Sequence, residues 1–244
     1  MKQSYRIADR IIEISSLHSK LHEQCREYRA AGVPDFSIEI KPEDIAFERE
    51  KSAQADKAEE RAIQFYSDDY LETLAVYRKI AERMPEYNTV LFHGSAIAVD
   101  GQAYLFTAKS GTGKSTHARL WRKLLGDRAI MVNDDKPLIR ISERGAVICG
   151  TPWDGKHHLS TNIVVPLKAI CILDREKENI IRPVTREEAL PMLIQQTYRP
   201  ADPAALARTL KLTDQLSRKV KLYHLGCNMD ISAAELTYDT MKEG

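Results

Sequence analysis

The chain opens with short stretches in which hydrophobic and polar residues alternate with a period of two. The run SYRIADRIIEIS (residues 4–15) predicts two strands that turn near Asp9 and Arg10, and FSIEI (residues 36–40) predicts a third strand. Pro42 then stands where the first turn of a helix tolerates proline. This opening therefore predicts a small strand-rich region that leads into a helix.

Two helices are expected next, and they differ in character. Residues 43–66 are heavily charged, mixed in sign and poor in large apolar side chains, which is typical of a solvated helix. Residues 67–84 instead carry apolar side chains at three-residue steps, with Ser67 placed to cap the helix and Pro85 placed to end it. The apolar positions of this second helix are Leu71, Leu74, Tyr77 and Ile80.

From Val90 the pattern changes to buried strands separated by helices. SAIAV and QAYLFT are joined by Asp-Gly, a strong hairpin signal, and a helix is expected from Lys114 to Leu125 before the strand AIMVN. Further strands are predicted at AVICG, LKAICIL and KLYHL. Further helices are predicted to begin at Thr185 (with Glu188 completing a capping box), at Asp202-Pro203 and at Ser232.

This order of elements predicts an α/β fold with a small α+β N-terminal region. The change of pattern near Tyr87 and Asn88 sets a predicted boundary, with one region at residues 1–88 and a larger domain at residues 89–244.

Composition limits the classes of function. The 244 residues are 43% hydrophobic and 29% charged, with a net charge of +1, so neither a general nucleic-acid binder nor a membrane-surface protein is expected. The sequence has no apolar run of the roughly 18–20 residues needed to span a bilayer, and its start does not resemble a signal peptide. A cytoplasmic location is the resulting expectation. The four cysteines show no zinc-binding spacing, and Cys149 and Cys171 lie in apolar runs.

Residues 108–115, AKSGTGKS, follow the phosphate-loop pattern G-x-x-x-x-G-K-[ST] with alanine in place of the first glycine. Glycines allow backbone amides to approach phosphate oxygens, the lysine contacts the outer phosphates and the hydroxyl binds magnesium. A strand is expected before the loop and a helix after it, as this chemistry requires. The alternative is a Gly/Ser turn without a ligand, but such a turn has no need of Gly-Lys-Ser in that order. Nucleotide binding is therefore predicted.

Asp134 and Asp135 follow the strand AIMVN, where strand ends meet the ligand crevice of an open α/β sheet. Adjacent carboxylates repel each other unless a cation or a proton compensates. One can therefore hold Mg²⁺ while the other accepts a proton from an attacking hydroxyl. The alternative is a turn that caps the next segment.

The ordered set of His93-Gly94, a hairpin, SGTGKST and a strand ending in NDD resembles the HPr kinase/phosphorylase family and, more distantly, the ATP-dependent phosphoenolpyruvate carboxykinases. The resemblance is good over about residues 90–155. It implies a P-loop kinase core of the HPr kinase/carboxykinase type that uses ATP and magnesium, and it implies an oligomer. It also implies a nucleotide site made by Ser110, Gly111, Thr112, Gly113, Lys114, Ser115 and Thr116.

The same resemblance assigns roles near the reacting phosphoryl group. Ser115 and an aspartate hold magnesium, with Asp134 as the metal ligand and Asp135 as the preferred general base, although these two roles are open to exchange. His93 lies beside the phosphoryl group in this family, whereas the residues alone equally allow a structural histidine there.

The segment GTPWDGKHHL (residues 150–159) has the composition of a loop, and it carries long polar side chains that can extend to a ligand. We expect Lys156, His157 and His158 to contact the acceptor or a phosphate, and Arg199 is a further candidate for a charge clamp. The alternative is a structural loop packed around Trp153.

These features together predict an ATP-dependent kinase that phosphorylates a hydroxyl, either of a serine in a protein or peptide or of a small alcohol. The alternatives are a nucleotide-binding regulatory module with weak ATPase activity, and a phosphatase or phosphorylase that uses the same site. The sequence does not name the acceptor.

Overall fold

The computed structural model describes residues 1–58, 60–155 and 158–243. Its chain divides into two compact units, Met1–Glu82 and Arg83–Gly244. The boundary predicted between residues 88 and 89 lies just past this division, after a short 3₁₀ turn at Met84–Tyr87. No helix among the described residues combines the length and the apolarity needed to cross a membrane.

The N-terminal unit contains a small sheet followed by helices. Strand β1 pairs with β2 in an antiparallel hairpin that turns through Ala8 and Asp9, both with positive φ, and β3 pairs in parallel with β2. The three predicted strands are therefore confirmed. The elements are β1 (Lys2–Ile7), β2 (Arg10–Ser15), α1 (Lys20–Gln24), β3 (Phe36–Glu39), α2 (Pro42–Ala58) and α3 (Asp68–Arg83).

Residues 61–66 of the predicted helix are not helical, and α2 itself is largely solvent-exposed, as expected for this charged stretch. Its Glu48 is only 4% exposed and accepts a 2.5 Å hydrogen bond from Nε of Arg78 on α3. Asp44 likewise accepts from Nζ of Lys79 at 2.6 Å. Part of the charge on α2 is thus used in ion pairs with α3, which compensate for the few apolar side chains that α2 buries.

The second unit is a mixed α/β structure around one large sheet. Within the described residues the strand order is β4-β8-β9-β10-β6-β5-β7, with β12 beside β10 and β11 beside β12. The strands are β4 (Thr89–Leu91), β5 (Ser95–Val99), β6 (Gln102–Thr107), β7 (Ala129–Asn133), β8 (Leu138–Ser142), β9 (Gly145–Cys149), β10 (Val164–Arg175), β11 (Ile180–Pro183) and β12 (Lys221–Cys227). The helices are α4 (Lys114–Leu125), α5 (Arg186–Gln196), α6 (Pro203–Lys219) and α7 (Ile231–Glu243).

Strand β10 joins the two parts of this sheet. Its first residues, from Val164 to Pro166, pair antiparallel with β9. From Leu167 onward it pairs in parallel with β6, and from Ala169 with β12 on its other side. A register irregularity between Leu167 and Ala169 marks the change of partner.

Four strands of this sheet end at the same edge. β6, β10 and β12 are parallel, and β7 has the same direction because both β6 and β7 pair antiparallel with β5. The segments that follow these strands therefore come together at one edge, which is where open α/β sheets bind ligands.

Apolar side chains cover both faces of the sheet. On β5, Ala96 and Ala98 pack into one cluster with α5 and α6, while Ile97 and Val99 pack into the other with α4 and α7. Helices on both faces of a sheet are the layer arrangement of an α/β domain, as predicted. Cys149 and Cys171 are both fully buried, and the cysteines are free.

Most helix starts agree with the sequence, with one correction. Thr185 caps α5 by accepting from the amide of Glu188, and Asp202 caps α6 by accepting from the amide of Ala205. Helix α7 begins at Ile231 rather than Ser232, because the carboxylate of Asp230 accepts from the Ser232 amide at 2.9 Å. The short strands β4, β8 and β11 were not predicted.

Candidate functional site

The loop between β6 and α4 contains two backbone conformations with positive φ that glycine adopts more easily than other residues. Gly111 and Gly113 have φ values of 77° and 127°, and no atom lies within 4 Å of a Cβ built at either residue. Helix α4 begins directly after Gly113, so the first amides of the helix face the open side of this loop.

Ala108, which replaces the first glycine of the phosphate-loop pattern, fits its position. Its φ is not positive, its side chain is fully buried, and its carbonyl accepts a 3.1 Å hydrogen bond from Nζ of Lys114. The backbone therefore does not need glycine there, and the departure from the pattern has no structural cost.

Arg175, the last residue of β10, supports the outside of the loop. Its guanidinium donates to the carbonyl of Thr112 at 3.0 Å and to that of Gly111 at 2.5 Å. The carbonyl of Thr112 is thereby held on this side, so the Gly113 amide of the same peptide points to the opposite side, whereas the amide of Thr112 donates to the carbonyl of Lys109 at 3.3 Å. Sequence reasoning missed this residue, because its role depends on the parallel pairing of β10 with β6.

The acidic pair lies at the end of β7 in a fixed turn. Oδ1 of Asn133 accepts from the amide of Asp135 at 2.9 Å and from that of Lys136 at 2.7 Å. Asp134 is 6% exposed, and its Oδ1 accepts from the hydroxyl of Ser95 at 2.9 Å. The two carboxylates are thus held at the sheet edge by polar contacts from both sides.

Lys114 belongs to the same electrostatic environment as the acidic pair. Its side chain is 8% exposed, and burial lowers its pKa, while the charges of Asp135 and then Asp134 act in the opposite direction. An ammonium group in this setting is strongly attracted to anionic ligands, because little water screens it.

His93 connects the acidic pair to the start of β5. Its Nε2 lies 3.4 Å from Oδ1 of Asp135, and its Nδ1 lies 2.8 Å from Oε1 of Gln196. Burial raises the pKa of Asp135, but the hydrogen bond from His93 and the charges of Lys136, His93 and Lys114 outweigh it, so this pKa lies below its ordinary value. Asp135 is consequently ionised at neutral pH, as a proton acceptor must be.

Residues 150–155 of the loop at residues 150–159 run along the acidic turn. The Nδ2 atom of Asn133 donates to the carbonyl of Thr151 at 3.1 Å and to that of Trp153 at 3.3 Å. A Cβ built on Gly155 would lie 3.2 Å from Oδ2 of Asp134. Trp153 is 4% exposed, which agrees with the structural alternative for this side chain.

The polar residues predicted to contact the acceptor or a phosphate can be located only in part. His158 is exposed, and its Nδ1 lies 3.0 Å from Oδ1 of Asp154. Lys156 and His157 lie outside the described residues. Arg199 is exposed, three residues beyond Gln196, and the described part of the chain shows no contact between its side chain and the acidic pair.

The residues of this site lie within a region that matches a known protein family. A sequence model of the family described as SynChlorMet cassette protein ScmC matches residues 65–231, which is more than half of the chain. The chain belongs to the ScmC family. The matched region includes the loop before α4, His93, the acidic turn and Gln196. No curated protein matches the sequence.

One solved structure with a loosely similar fold is the HPr(Ser) kinase/phosphatase from Coxiella burnetii. It matches this ScmC-family chain with a TM-score of 0.34 and 10% sequence identity, over 63% of this chain and 99% of that chain. Because these values are low, we argue function from the side chains of the site alone.

In this ScmC-family protein the described fold brings most predicted site residues to one edge. Ser110, Gly111, Thr112, Gly113, Lys114, Ser115 and Thr116 form the loop and the first turn of α4, and His93 and the aspartates face them across β5 and β6. Gln196, Arg175 and Ser95 are additional site residues that sequence reasoning missed, and none of these three belongs to a local motif that signals its role. Asn133 was recognised as part of the NDD motif, but the sequence assigned no role to it.

Proposed function

We propose that this protein is an ATP-dependent kinase of the HPr kinase type that transfers the γ-phosphoryl group to a hydroxyl. The observation that carries the proposal is the shared electrostatic environment of Lys114 with Asp134 and Asp135, beside a glycine loop at a helix N-terminus. A loop that only held a nucleotide would have no need of two adjacent carboxylates at its phosphate end, with Asp134 buried and the half-buried Asp135 in contact with His93.

In the proposed reaction the acceptor oxygen forms a bond to the γ-phosphorus as the bond from that phosphorus to the β-bridging oxygen breaks. Asp135 takes the hydroxyl proton, and ADP leaves with the electron pair of the broken bond. Lys114 and the loop amides hold the phosphate oxygens on which negative charge increases. His93 holds Asp135 in place through its Nε2 atom.

The residues present also fit a magnesium ion. Oδ1 of Asp134 accepts from Ser95, which leaves Oδ2, beside Gly155, as the oxygen available to a metal ion. With the hydroxyl of Ser115, this oxygen makes a hard-ligand set that suits Mg²⁺, which commonly takes one or two protein oxygens and completes its shell with phosphates and water. When bound, Mg²⁺ neutralises charge on the phosphate oxygens.

The acceptor side of the proposal rests on the loop at residues 150–159. This loop lies against Asp134 through Gly155, and Asn133 couples it to the turn that carries both aspartates. We assign it to the acceptor, which is a serine of a protein or peptide or a small alcohol. His158 is the exposed polar residue that it offers in the described part of the chain.

Product analysis tests the proposal. The purified protein is incubated with γ-labelled ATP, Mg²⁺ and a panel of serine peptides and small alcohols, with Asp135→Asn as the matched variant. Phosphorylated acceptor made by the parent protein and lost in Asp135→Asn is the expected result.

Two other results would redirect the assignment. Free phosphate without phosphorylated acceptor in every mixture would favour a nucleotide-dependent regulatory module with weak ATPase activity. Removal of phosphate from a phosphorylated acceptor, stimulated by inorganic phosphate, would favour a phosphorylase.

A further inference from the structure

A cavity of about 420 Å³ opens beside the loop, on the side of Gly111, Thr112, Gly113 and Thr116. Its volume lies within the range of roughly 300–1,000 Å³ that is usual for small-molecule sites. The described lining does not include Asp134 or Asp135, so the cavity continues from the loop in a direction away from the reacting end. A ligand whose phosphates lie on the loop would extend its other end into this space.

The side chains that line the cavity suit a flat apolar ring. Leu120 on α4, Leu173 on β10 and Met229 after β12 supply aliphatic and thioether surface. Met229 is 79% exposed, so its thioether is accessible to a ligand in the cavity. Thioethers adapt to irregular surfaces and contact aromatic rings favourably.

His117 adds a buried polar group to the same lining. It is 2% exposed and its Nε2 lies 3.1 Å from Oγ1 of Thr237, while its Nδ1 has no hydrogen-bond partner among the described residues. Burial lowers its pKa to about 4, so the ring brings no positive charge to the cavity at neutral pH. A buried nitrogen without a partner is uncommon and agrees with a site that a ligand completes.

Glu176 lines the rim of the cavity with a free carboxylate. It follows Arg175, and its amide donates to the carbonyl of Cys227 at 3.0 Å. Its side chain passes over Gly226, where an added Cβ would lie 2.7 Å from Cγ of Glu176, so the glycine provides the room for it. Its carboxylate makes no hydrogen bond or ion pair within the described residues.

Glu176 occupies a position in the sheet that resembles that of the ribose-binding acidic residue in dinucleotide-binding proteins. β10 is the parallel neighbour of β6, whose end carries the phosphate-binding loop, and Glu176 comes directly after β10. In dinucleotide-binding sheets, an acidic residue after a strand near the glycine loop accepts hydrogen bonds from ribose hydroxyls. Parallel strands lie about 4.8 Å apart, so a residue after β10 is close to a sugar attached to phosphates on the loop.

We propose that this cavity binds the nucleoside part of the nucleotide, with the base against Leu120, Leu173 and Met229 and the ribose hydroxyls on Glu176. This inference rests on the proposed function, because it takes the loop before α4 as the phosphate site. It makes Glu176 a residue that selects ribonucleotides and Cys227 a residue that bound nucleoside covers.

Binding measurements with three probes test the ribose contact. Calorimetry compares Mg²⁺ complexes of ATP, 2′,3′-dideoxy-ATP and inorganic tripolyphosphate on the parent protein, on Glu176→Ala and on Glu178→Ala as the matched control. The parent and Glu178→Ala should prefer ATP to the dideoxy compound by about tenfold, the effect of hydrogen bonds to a charged group, whereas Glu176→Ala should show no preference. An equal preference in all three proteins would overturn the role of Glu176.

Thiol labelling tests the location of the nucleoside independently. Cys227 is partly exposed in the cavity, while Cys25, Cys149 and Cys171 are buried, so a maleimide should modify the folded protein at Cys227. Burial and the charge of Asp174 raise the pKa of this thiol, so labelling is done at alkaline pH. Saturating ATP should slow labelling by tenfold or more, and tripolyphosphate should leave the rate unchanged.

The outcomes separate the two proposals. If ATP and tripolyphosphate both bind in a manner that requires Lys114 but ATP leaves Cys227 reactive, the nucleoside lies elsewhere and only the cavity assignment fails. If neither probe binds, the proposed kinase function fails and the cavity assignment fails with it.

Discussion

Nε2 of His93 lies 3.4 Å from Oδ1 of Asp135 because Gln196 holds the opposite side of the imidazole ring. Oε1 of Gln196 is 2.8 Å from Nδ1 of His93, and its Nε2 lies 3.7 Å from the sulfur of Met192. Oε1 of Gln196 faces Nδ1 and Oδ1 of Asp135 faces Nε2, so the imidazole lies between two acceptor oxygens and its Nε2 is oriented toward the carboxylate that we assign as the base.

Gln196 is therefore expected to act as a positioning residue. Gln196→Ala should lower kcat by about tenfold, comparable to losing one hydrogen bond, and should leave the KM for ATP unchanged. It should also move the acidic limb of the pH–rate profile, because the His93 contact helps to keep Asp135 ionised. Steady-state kinetics over a pH series measures both effects. Gln195→Ala, on the exposed neighbour, is the control, and identical profiles for the two variants would refute this role.

Substitutions of the two aspartates should impair different functions. Asp135→Asn should retain nucleotide binding and lose transfer by roughly 10²–10⁴-fold, the contribution of a general base. Asp134→Asn should raise the Mg²⁺ concentration needed for half-maximal activity, because its Oδ2 is the assigned metal ligand. Magnesium titrations of both variants check this assignment. Loss of transfer in Asp134→Asn alone, with Asp135→Asn active, would mean that the two roles are exchanged.

Lys114→Ala should weaken ATP binding by about 1–3 kcal/mol, the range for removing a hydrogen-bond partner of a charged group. Isothermal titration calorimetry gives the value directly. Lys123→Ala, on an exposed position near the end of the same helix, serves as the control for general effects on α4. Equal affinities of the Lys114→Ala and Lys123→Ala proteins would contradict the phosphate assignment.

Substitutions in the loop at residues 150–159 should change the kinetic constants for the acceptor and leave the KM for ATP unchanged. Lys156→Ala and His158→Ala should each raise the acceptor KM or lower kcat several-fold, since a positive or donor group near an acidic acceptor is removed. Initial rates with each substrate varied in turn separate the two cases. Lys211→Ala, on α6, is the control. A variant whose defect is confined to the KM for ATP would place this loop on the nucleotide.

His117 should make folding stability sensitive to acid. Burial lowers its pKa to about 4 from an unfolded value of 6.5, so the folded state favours the neutral ring. This contribution is fully present above pH 6.5 and is lost as the pH falls toward 4, by about 3 kcal/mol in total. Urea unfolding of the parent protein and His117→Gln at pH 7 and pH 4 measures it. The difference between the two proteins should shift by this amount in favour of the variant at low pH.

Local sequence patterns correctly predicted those elements that are determined by residues close to one another in the chain. The Asp100-Gly101 hairpin, the start of α4 at Lys114 and the caps at Thr185 and Asp202 all depend on neighbouring side chains, and all are present as predicted. Strands β4 and β11 were missed because they are short and pair with distant strands, whereas β8 was missed although it forms a local hairpin with β9.

The same distinction applies to the site. The loop and the acidic pair are recognisable because their residues are consecutive. Gln196 reaches His93 from a position 103 residues away, and Arg175 reaches Gly111 from 64 residues away. Such contacts depend on strand order and direction, which hydrophobic periodicity does not specify.

The continuity of β10 bears on how the second unit can be divided. One twelve-residue strand begins as the partner of β9, ends as the partner of β6 and β12, and then supplies Arg175 to the loop. A shortened chain that stops before Val164 would keep the loop, α4 and the acidic pair in sequence but would leave β6 and β9 with unpaired edges. Exposed strand edges of this kind promote self-association. The shortest autonomous version of the second unit must therefore extend through β12 to α7, which packs with α4 on one face of the sheet, and fragments that keep only the recognisable motifs should precipitate when expressed.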